Sequence, residues 1–217
     1  MKKLLRTSIY SIILLFGINS ICSAADTYVE NKDYQAIPAN SSVIKPVNGQ
    51  VTVMEFFSFG CPWCYRFEPD LEKWLANKPA HINFQRVPVV FESGWDVYAK
   101  AFYIANQLGV DNKMHMALFD AIQKQQIDLS TEKNMEQFFV KYGVKPKDFE
   151  SAYEFSPGID AQLSKGSKLM NDYLVYQIPT IVVDGKYKID ASMTGGDNQK
   201  MIAVTEYLVQ KELNNKG

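Results

Sequence analysis

Val51 to Arg66 reads V-T-V-M-E-F-F-S-F-G-C-P-W-C-Y-R. An apolar run, Val51 to Phe57, passes through Ser58-Phe59-Gly60 into Cys61-Pro62-Trp63-Cys64, after which apolar residues recur at helical spacing. Two thiols therefore stand where a strand becomes a helix. The first N–H groups of a helix lack intrahelical partners and carry the positive end of its dipole, so an anion is stabilised there. A thiolate is such an anion. Proline at the first helical position loses no hydrogen bond, which suits Pro62 to follow a cap at Cys61. Cys61 is expected to be exposed and ionised, and Cys64, one turn on, to face inward. This spacing also lets the sulfurs bridge each other, so the pair can cycle between dithiol and disulfide.

Other readings of the pair are weaker. A bridge across so short a loop stabilises little. A metal site wants about four ligands, and no second Cys or Cys/His pair with zinc spacing is present. Neither a metal nor a cofactor is implied.

Upstream, Lys2, Lys3 and Arg6 precede the apolar stretch Ile9 to Phe16, and Ser23-Ala24-Ala25 ends the pattern. This is the layout of a cleaved export signal over residues 1–25, much shorter in its apolar part than the roughly 20 residues that span a bilayer. Cys22 raises a lipoprotein alternative, against which stands the bulky Ile21 before it. Without the signal, the 23 basic residues fall to 20 against 24 acidic ones. No basic run stands out to suggest nucleic acid. The exported chain keeps only Cys61 and Cys64, a lone close pair in a compartment that permits disulfides, which points to working chemistry and not to a scaffold.

Downstream the order is strand, helix, strand, helical block, helix, strand, strand, helix. Tyr34 to Ile37 reads as a short edge strand, Val51 to Phe57 as a central one and Ile82 to Val90 as a third. The helix after the cysteines runs to about Ala76, with Pro69 predicting a bend near Arg66. Trp95–Leu108, Lys113–Gln125, Thr131–Tyr142 and Lys147–Phe155 have helical period, and their apolar positions, Met114, Met116, Leu118 and Phe119 among them, read as core. Asp160–Leu174 follows. Thr180 to Val183 and Lys186 to Ile189 flank Asp184-Gly185, the strongest hairpin signal in the chain. Asp197 caps a last helix through Leu213. The expected architecture is an α/β unit, residues 26–92 and 158–217, interrupted by an all-helical domain over residues 93–157.

Glu55 lies inside an apolar run. Val51, Val53 and Glu55 share one face, Met54 and Phe56 the other, and both faces are mostly apolar, so the carboxyl is expected to be buried and its pKa raised by desolvation. The alternative is a strand residue turned to solvent. Trp63 either packs on a neighbour or offers an exposed indole to apolar substrate segments. Phe59 and Tyr65 read as packing residues.

These residues resemble the DsbA-type thiol:disulfide oxidoreductases, which have the thioredoxin fold. The resemblance rests on E-F-F-S-F-G-C-P-W-C-Y at Glu55 to Tyr65, on I-P-T-I-V-V-D-G-K-Y at Ile178 to Tyr187, and on the helical stretch between them. It implies a thioredoxin fold with an inserted all-helical domain. It makes Cys61 the nucleophile, Cys64 its buried partner, Pro179 a cis proline beside the disulfide and Ile178 a backbone platform for extended substrate. Pro62 and Trp63 would adjoin that substrate, and Glu55 would assist proton transfer at Cys64. The implied activity is donation of the Cys61–Cys64 disulfide to folding exported proteins in the periplasm, with reoxidation by a quinone-linked membrane partner of the DsbB type and no stable insertion of this chain into the membrane. The alternatives are a disulfide isomerase or reductase, or a non-catalytic peptide-binding or metal-carrying module. Isomerases of the family carry a large N-terminal dimerisation domain, for which residues 26–50 are too few.

The sequence departs from the family twice. Several members have a histidine between the cysteines where this chain has Pro62-Trp63, and His81 and His115 are remote in sequence. Thiolate stabilisation is then expected from the helix start and local N–H groups, giving a weaker oxidant. Phe84 falls about where the family's lysine partner of the buried acid stands, so Glu55 is expected to be loosely held or paired through water.

Overall fold

The computed structural model describes residues 27–38 and 49–216; the expected export signal, residues 1–25 with Cys22, and the segment from Asn40 to Pro46 lie outside them. Five strands, β1 (Gln35–Ala36), β2 (Val51–Phe57), β3 (Ile82–Pro88), β4 (Thr180–Val183) and β5 (Tyr187–Asp190), form one sheet in the order β1-β5-β4-β2-β3. β2 runs parallel to β3 and antiparallel to β4, and β5 is antiparallel to both β4 and β1. Every residue of β2 is buried, as a central strand covered on both faces requires. The hairpin turn takes positive φ at Asp184 (53°) and Gly185 (66°), and the Lys186 N–H returns to the Val183 carbonyl at 2.9 Å, the geometry Asp-Gly favours.

Helices cover the sheet in two layers. On one face Val51, Val53, Ile181 and Ile189 pack with Phe67 and Leu71 of α1 (Pro62–Ala76) and with Val204 and Leu208 of a long C-terminal helix, Asn198–Lys216. On the other, Met54, Phe56 and Val182 pack with Leu169 and Tyr173 around a helix at Pro157–Asp172. Four further helices separate β3 from that one: α2 (Trp95–Gln107), α3 (Asp111–Phe119), α4 (Glu132–Lys141) and α5 (Pro146–Glu154). In chain order the remaining three are α6 (Pro157–Asp172), α7 (Ala191–Thr194) and α8 (Asn198–Lys216). Thr131 caps α4 through the Asn134 N–H, and Asp197 caps α8 through the Lys200 N–H, each supplying an acceptor to an otherwise unpartnered helix donor.

The helix expected at Lys113–Gln125 is divided. α3 ends at Phe119 and Asp120–Lys124 is a π-helical turn, closed by the Gln125 N–H on the Asp120 carbonyl at 2.9 Å. Met114, Leu118 and Phe119 are core, whereas Met116 is exposed. Within α1, Pro69 has no N–H to offer the Tyr65 carbonyl, and the next carbonyl, that of Arg66, accepts from Asn198 Nδ2 on α8 at 2.9 Å.

The apolar cluster of α2–α5 does not stop at the insertion. It continues through Phe57 and Phe59 to Cys61 and Cys64. The cysteines therefore sit at the seam between the sheet unit and the helical block. Among the described residues no helix is long and apolar enough to cross a membrane.

Candidate active site

Cys61 is the N-cap of α1. Its backbone is extended (φ −90°, ψ 115°), and its sulfur turns over the helix start to accept the Cys64 N–H at 3.3 Å. The chain enters through a tight turn: the Cys61 N–H donates to the Ser58 carbonyl at 3.0 Å, and the Gly60 N–H to Ser58 Oγ at 3.2 Å. Gly60 has no room for a side chain, since a Cβ there would lie 2.3 Å from the Trp95 indole nitrogen. Gln123 of the π turn fixes the same loop by donating to the Phe59 carbonyl at 2.7 Å, and Tyr65 is tied to Asp120 at 2.7 Å. The insertion thus grips the cysteine turn from one side.

The segment before β4 closes it from the other. Ile178-Pro179 is a cis peptide, and the Cys61 thiol donates to the Ile178 carbonyl at 3.6 Å. Thr180 Oγ1 donates to the Gln177 carbonyl at 2.7 Å, and Gln177 Nε2 to Ser192 Oγ at 3.0 Å, so this segment is itself held. Two aromatic side chains remain exposed on the two segments that meet at Cys61: Trp63, 53 % exposed, and Tyr176, 77 % exposed. Pro62 is exposed as well. Arg66, one helical turn beyond Trp63, places its guanidinium over the indole at 4.2 Å.

Cys61 and Cys64 are both free thiols here, and their environments drive them apart. A hydrogen bond from the Cys64 thiol is the largest effect on Cys61; burial opposes it, and the Cys64 and Trp63 N–H groups and the Arg66 charge assist it. The balance brings Cys61 down to about 7. Burial, then the hydrogen bond with Cys61 and the charges of Cys61 and Glu55, holds Cys64 well above the usual thiol range. One expectation is corrected. Cys61 is only 4 % exposed, because its sulfur lies over the helix start and under Ile178 instead of projecting into solvent.

Glu55 is fully buried, and desolvation raises its pKa to about 8 with help from the negative charge of Glu68. The expectation of a loose or water-bridged carboxyl also fails. Parallel register places Arg86 of β3 opposite Glu55, and Arg86 Nε donates to Glu55 Oε2 at 3.1 Å. The same guanidinium reaches Glu68 (2.5 Å) and Glu72 (2.6 Å) through Nη2, and His115 Nε2 of α3 lies 2.8 Å from Glu68 Oε1. A carboxylate only accepts, so that nitrogen carries a hydrogen. Atoms of Glu68, Glu72 and His115 come within 4.8 Å of one another, but Arg86 already fills the position a cation would take.

The sequence reading missed Arg86, Glu68 and His115. For Glu68 a signal was present: it stands four residues after Cys64 and therefore on the same inward helix face. For Arg86 the signal was register, since two seven-residue strands in parallel alignment set Glu55 against it. Nothing local pointed to His115, which arrives on the insertion.

A family model described as a DSBA-like thioredoxin domain matches residues 52–205. The chain belongs to the DsbA-like thioredoxin family. The thiol:disulfide interchange protein DsbA of Pseudomonas aeruginosa is 35 % identical over 212 residues, spanning 98 % of this chain and 97 % of that one. DsbA of Burkholderia cepacia is 38 % identical over 194 residues, or 89 % and 90 % of the two chains. Among crystal structures, Pseudomonas aeruginosa DsbA superposes with a TM-score of 0.78 at 34 % identity, covering 85 % of this chain and 94 % of its own. The oxidoreductase DsbA from Xylella fastidiosa gives 0.75 at 30 %, covering 83 % and 95 %. The fold is the DsbA-type thioredoxin fold with its helical insertion, and the chain is a thiol:disulfide oxidoreductase by family.

Proposed function

We propose that this DsbA-family protein is an exported disulfide oxidase that passes its Cys61–Cys64 bond to folding proteins in the periplasm. The observation that carries the reading is the opposition of the two thiols: one capping a helix start and lowered to about 7, the other buried and raised. The reduced form is then stabilised by an ionised Cys61, which makes the disulfide a ready oxidant. A substrate thiolate attacks Cys61 Sγ, and the Cys61–Cys64 bond breaks with its electron pair leaving on Cys64. A second substrate thiolate attacks the substrate sulfur of the mixed disulfide and releases Cys61 as a thiolate. The substrate loses two electrons and the protein gains them.

Cys64 is a poor leaving anion for the reason its pKa is high, so the departing sulfur needs a proton. Glu55, protonated at neutral pH, is placed in the role of its donor. The Ile178 backbone and cis-Pro179 take an extended substrate segment, and backbone recognition suits many sequences. Trp63 and Pro62 offer apolar surface beside the nucleophile. Residues 1–25 serve as the cleaved export signal, and reoxidation falls to a membrane partner of the DsbB type. The insertion, residues 93–157, acts as a lid that shapes and grips the cysteine turn.

Cys61→Ser separates this reading from a peptide-binding module with incidental thiols. The variant is expected to lose oxidation of a reduced, unfolded substrate while keeping its fold by circular dichroism. Retention of most of the activity would remove the oxidase reading.

A further inference from the structure

β3 is an outer strand of the sheet, so one side of its backbone has no neighbouring strand. Two bonds show which groups lie on that side. The Val51 N–H donates to the His81 carbonyl and the Val89 N–H to the Phe57 carbonyl. Residues 81, 83, 85, 87 and 89 therefore turn their backbone groups towards β2, and the residues that alternate with them turn theirs outward. Both ends of the outward row are closed. The Ile82 N–H donates to the Pro79 carbonyl, and the Ile82 carbonyl accepts from Lys78 Nζ at 3.2 Å. Pro88 has no N–H, and its carbonyl faces Gly166 of α6, 3.6 Å from where a Cβ would stand. Between these ends the N–H and C=O groups of Phe84 and Arg86 point outward with no backbone partner among the described residues outside the sheet.

A cavity of about 350 Å³ opens on this stretch, a size found among ligand-binding clefts. It is lined by Phe84 and Arg86, which share a sheet face with Val53 and Glu55, and also by Gln85 and Val87 from the opposite face. The cavity therefore straddles the strand edge, with Phe102 and Tyr103 of α2 as its far wall. A second cavity of about 320 Å³ continues past Phe84 and Phe102 to α3. Neither cysteine lines either cavity, nor does the Ile178-Pro179 segment. The two flanks of the slot differ in charge. Exposed Lys165 stands on the α6 side, and Asp111 stands with Glu72 on the α3 side. A strand laid against β3 sends successive side chains to opposite flanks, so an acidic residue facing Lys165 and its basic neighbour facing Asp111 complement both.

We propose that the open edge of β3, between α2 and α6, is a second polypeptide-binding site separate from the thiols: it takes an extended segment with adjacent acidic and basic residues as an added strand paired to Phe84 and Arg86. Main-chain pairing supplies the affinity and the two charged flanks the preference.

The probe is the acetylated and amidated peptide T-V-E-K-V-T, which has no cysteine, titrated against the full chain while amide signals are followed by NMR. The Phe84 and Arg86 amides are expected to shift saturably and to exchange their hydrogens more slowly, and binding persists in Cys61→Ser. The peptide T-V-E-K-P-T, which lacks one backbone donor, binds more weakly. Phe84→Pro removes an outward N–H without touching the pairing to β2, a substitution edge strands tolerate, and is expected to weaken binding about fivefold to tenfold, as loss of one backbone hydrogen bond does. Asn106→Trp, on the exposed face of α2, fills the slot and abolishes binding; it carries the same test if Phe84→Pro does not fold. Lys165→Glu reverses the preference, so that T-V-K-K-V-T binds better than T-V-E-K-V-T. Shifts confined to the surroundings of Trp63 and Ile178, binding lost in Cys61→Ser, or binding unchanged in Asn106→Trp each overturn the proposal. So does an edge already occupied by a second copy, seen as Phe84 and Arg86 amides that become protected with rising protein concentration in the absence of peptide. An unchanged preference in Lys165→Glu overturns the assignment of an acidic and basic segment.

Discussion

At Cys61 and Cys64 the same physics gives opposite results, because position along one helix turn decides which effect dominates. Alkylation of reduced protein is expected to titrate Cys61 near 7, with Cys64 unreactive well beyond the ordinary thiol range; a single midpoint near the usual value of about 8.5 for both would contradict this. Glu55 yields a prediction of different sign. Its folded pKa, about 8, is raised above the unfolded value of about 4.3. The stability this carboxyl allows is therefore complete below about 4.3 and is lost as pH rises through 8, because the unfolded chain ionises first. Glu55→Gln, which has no charge to bury, is expected to be more stable than the wild type at pH 8, with a gap that opens between about pH 4.3 and 8. Chemical denaturation at several pH values measures it, and a gap that closes with rising pH contradicts it. At this scale the sequence revealed the cysteines and the burial of Glu55, both set by local pattern. Arg86 escaped because its partner lies across a strand pair; the resemblance put Ile178 and Pro179 beside the disulfide, but not the covering of the Cys61 sulfur by the Ile178 carbonyl, more than a hundred residues away.

The start of α1 was legible as an element because Cys-Pro at a strand end carries its own cap geometry, and the Asp-Gly hairpin was legible for the same local reason. The π turn was not. It inserts one residue into the hydrogen-bond ladder without breaking the apolar period, and its effect is tertiary: it aims Gln123 at the Phe59 carbonyl and Asp120 at Tyr65. Such turns gather at functional sites. The cysteine turn further depends on Gly60 lying flat against Trp95. Gly60→Ala is expected to destabilise the protein by about 1–3 kcal/mol through overpacking and to slow oxidation. Trp95→Ala, which opens that space, is expected to recover part of the stability lost in Gly60→Ala. Additive losses in the double variant would show that the two residues do not press on each other. Thermal or denaturant unfolding of the four proteins reads this directly.

Taken whole, the molecule puts its cysteines where a sheet unit and a helical insertion share one apolar cluster. Alternation of strand and helix signals showed both parts, and the long helical interruption showed that one was inserted. What the sequence withheld was the contact between them, since His115, Trp95 and Gln123 have no pattern that announces a distant partner. The arrangement predicts that Cys64→Ala, whose Cys61 thiolate can still form a mixed disulfide but has no internal partner to reverse it, accumulates Cys61-linked adducts when offered oxidised substrate; mass spectrometry after acid quench detects them. The central claim is that the Cys61–Cys64 disulfide is an oxidant because folding favours the dithiol form. Its most direct test is the equilibrium of the pair with glutathione. The account predicts a potential well above the roughly −270 mV of thioredoxin and nearer the −180 to −120 mV range of oxidising members of this superfamily. A value at or below that of thioredoxin would contradict it and make the protein a reductant.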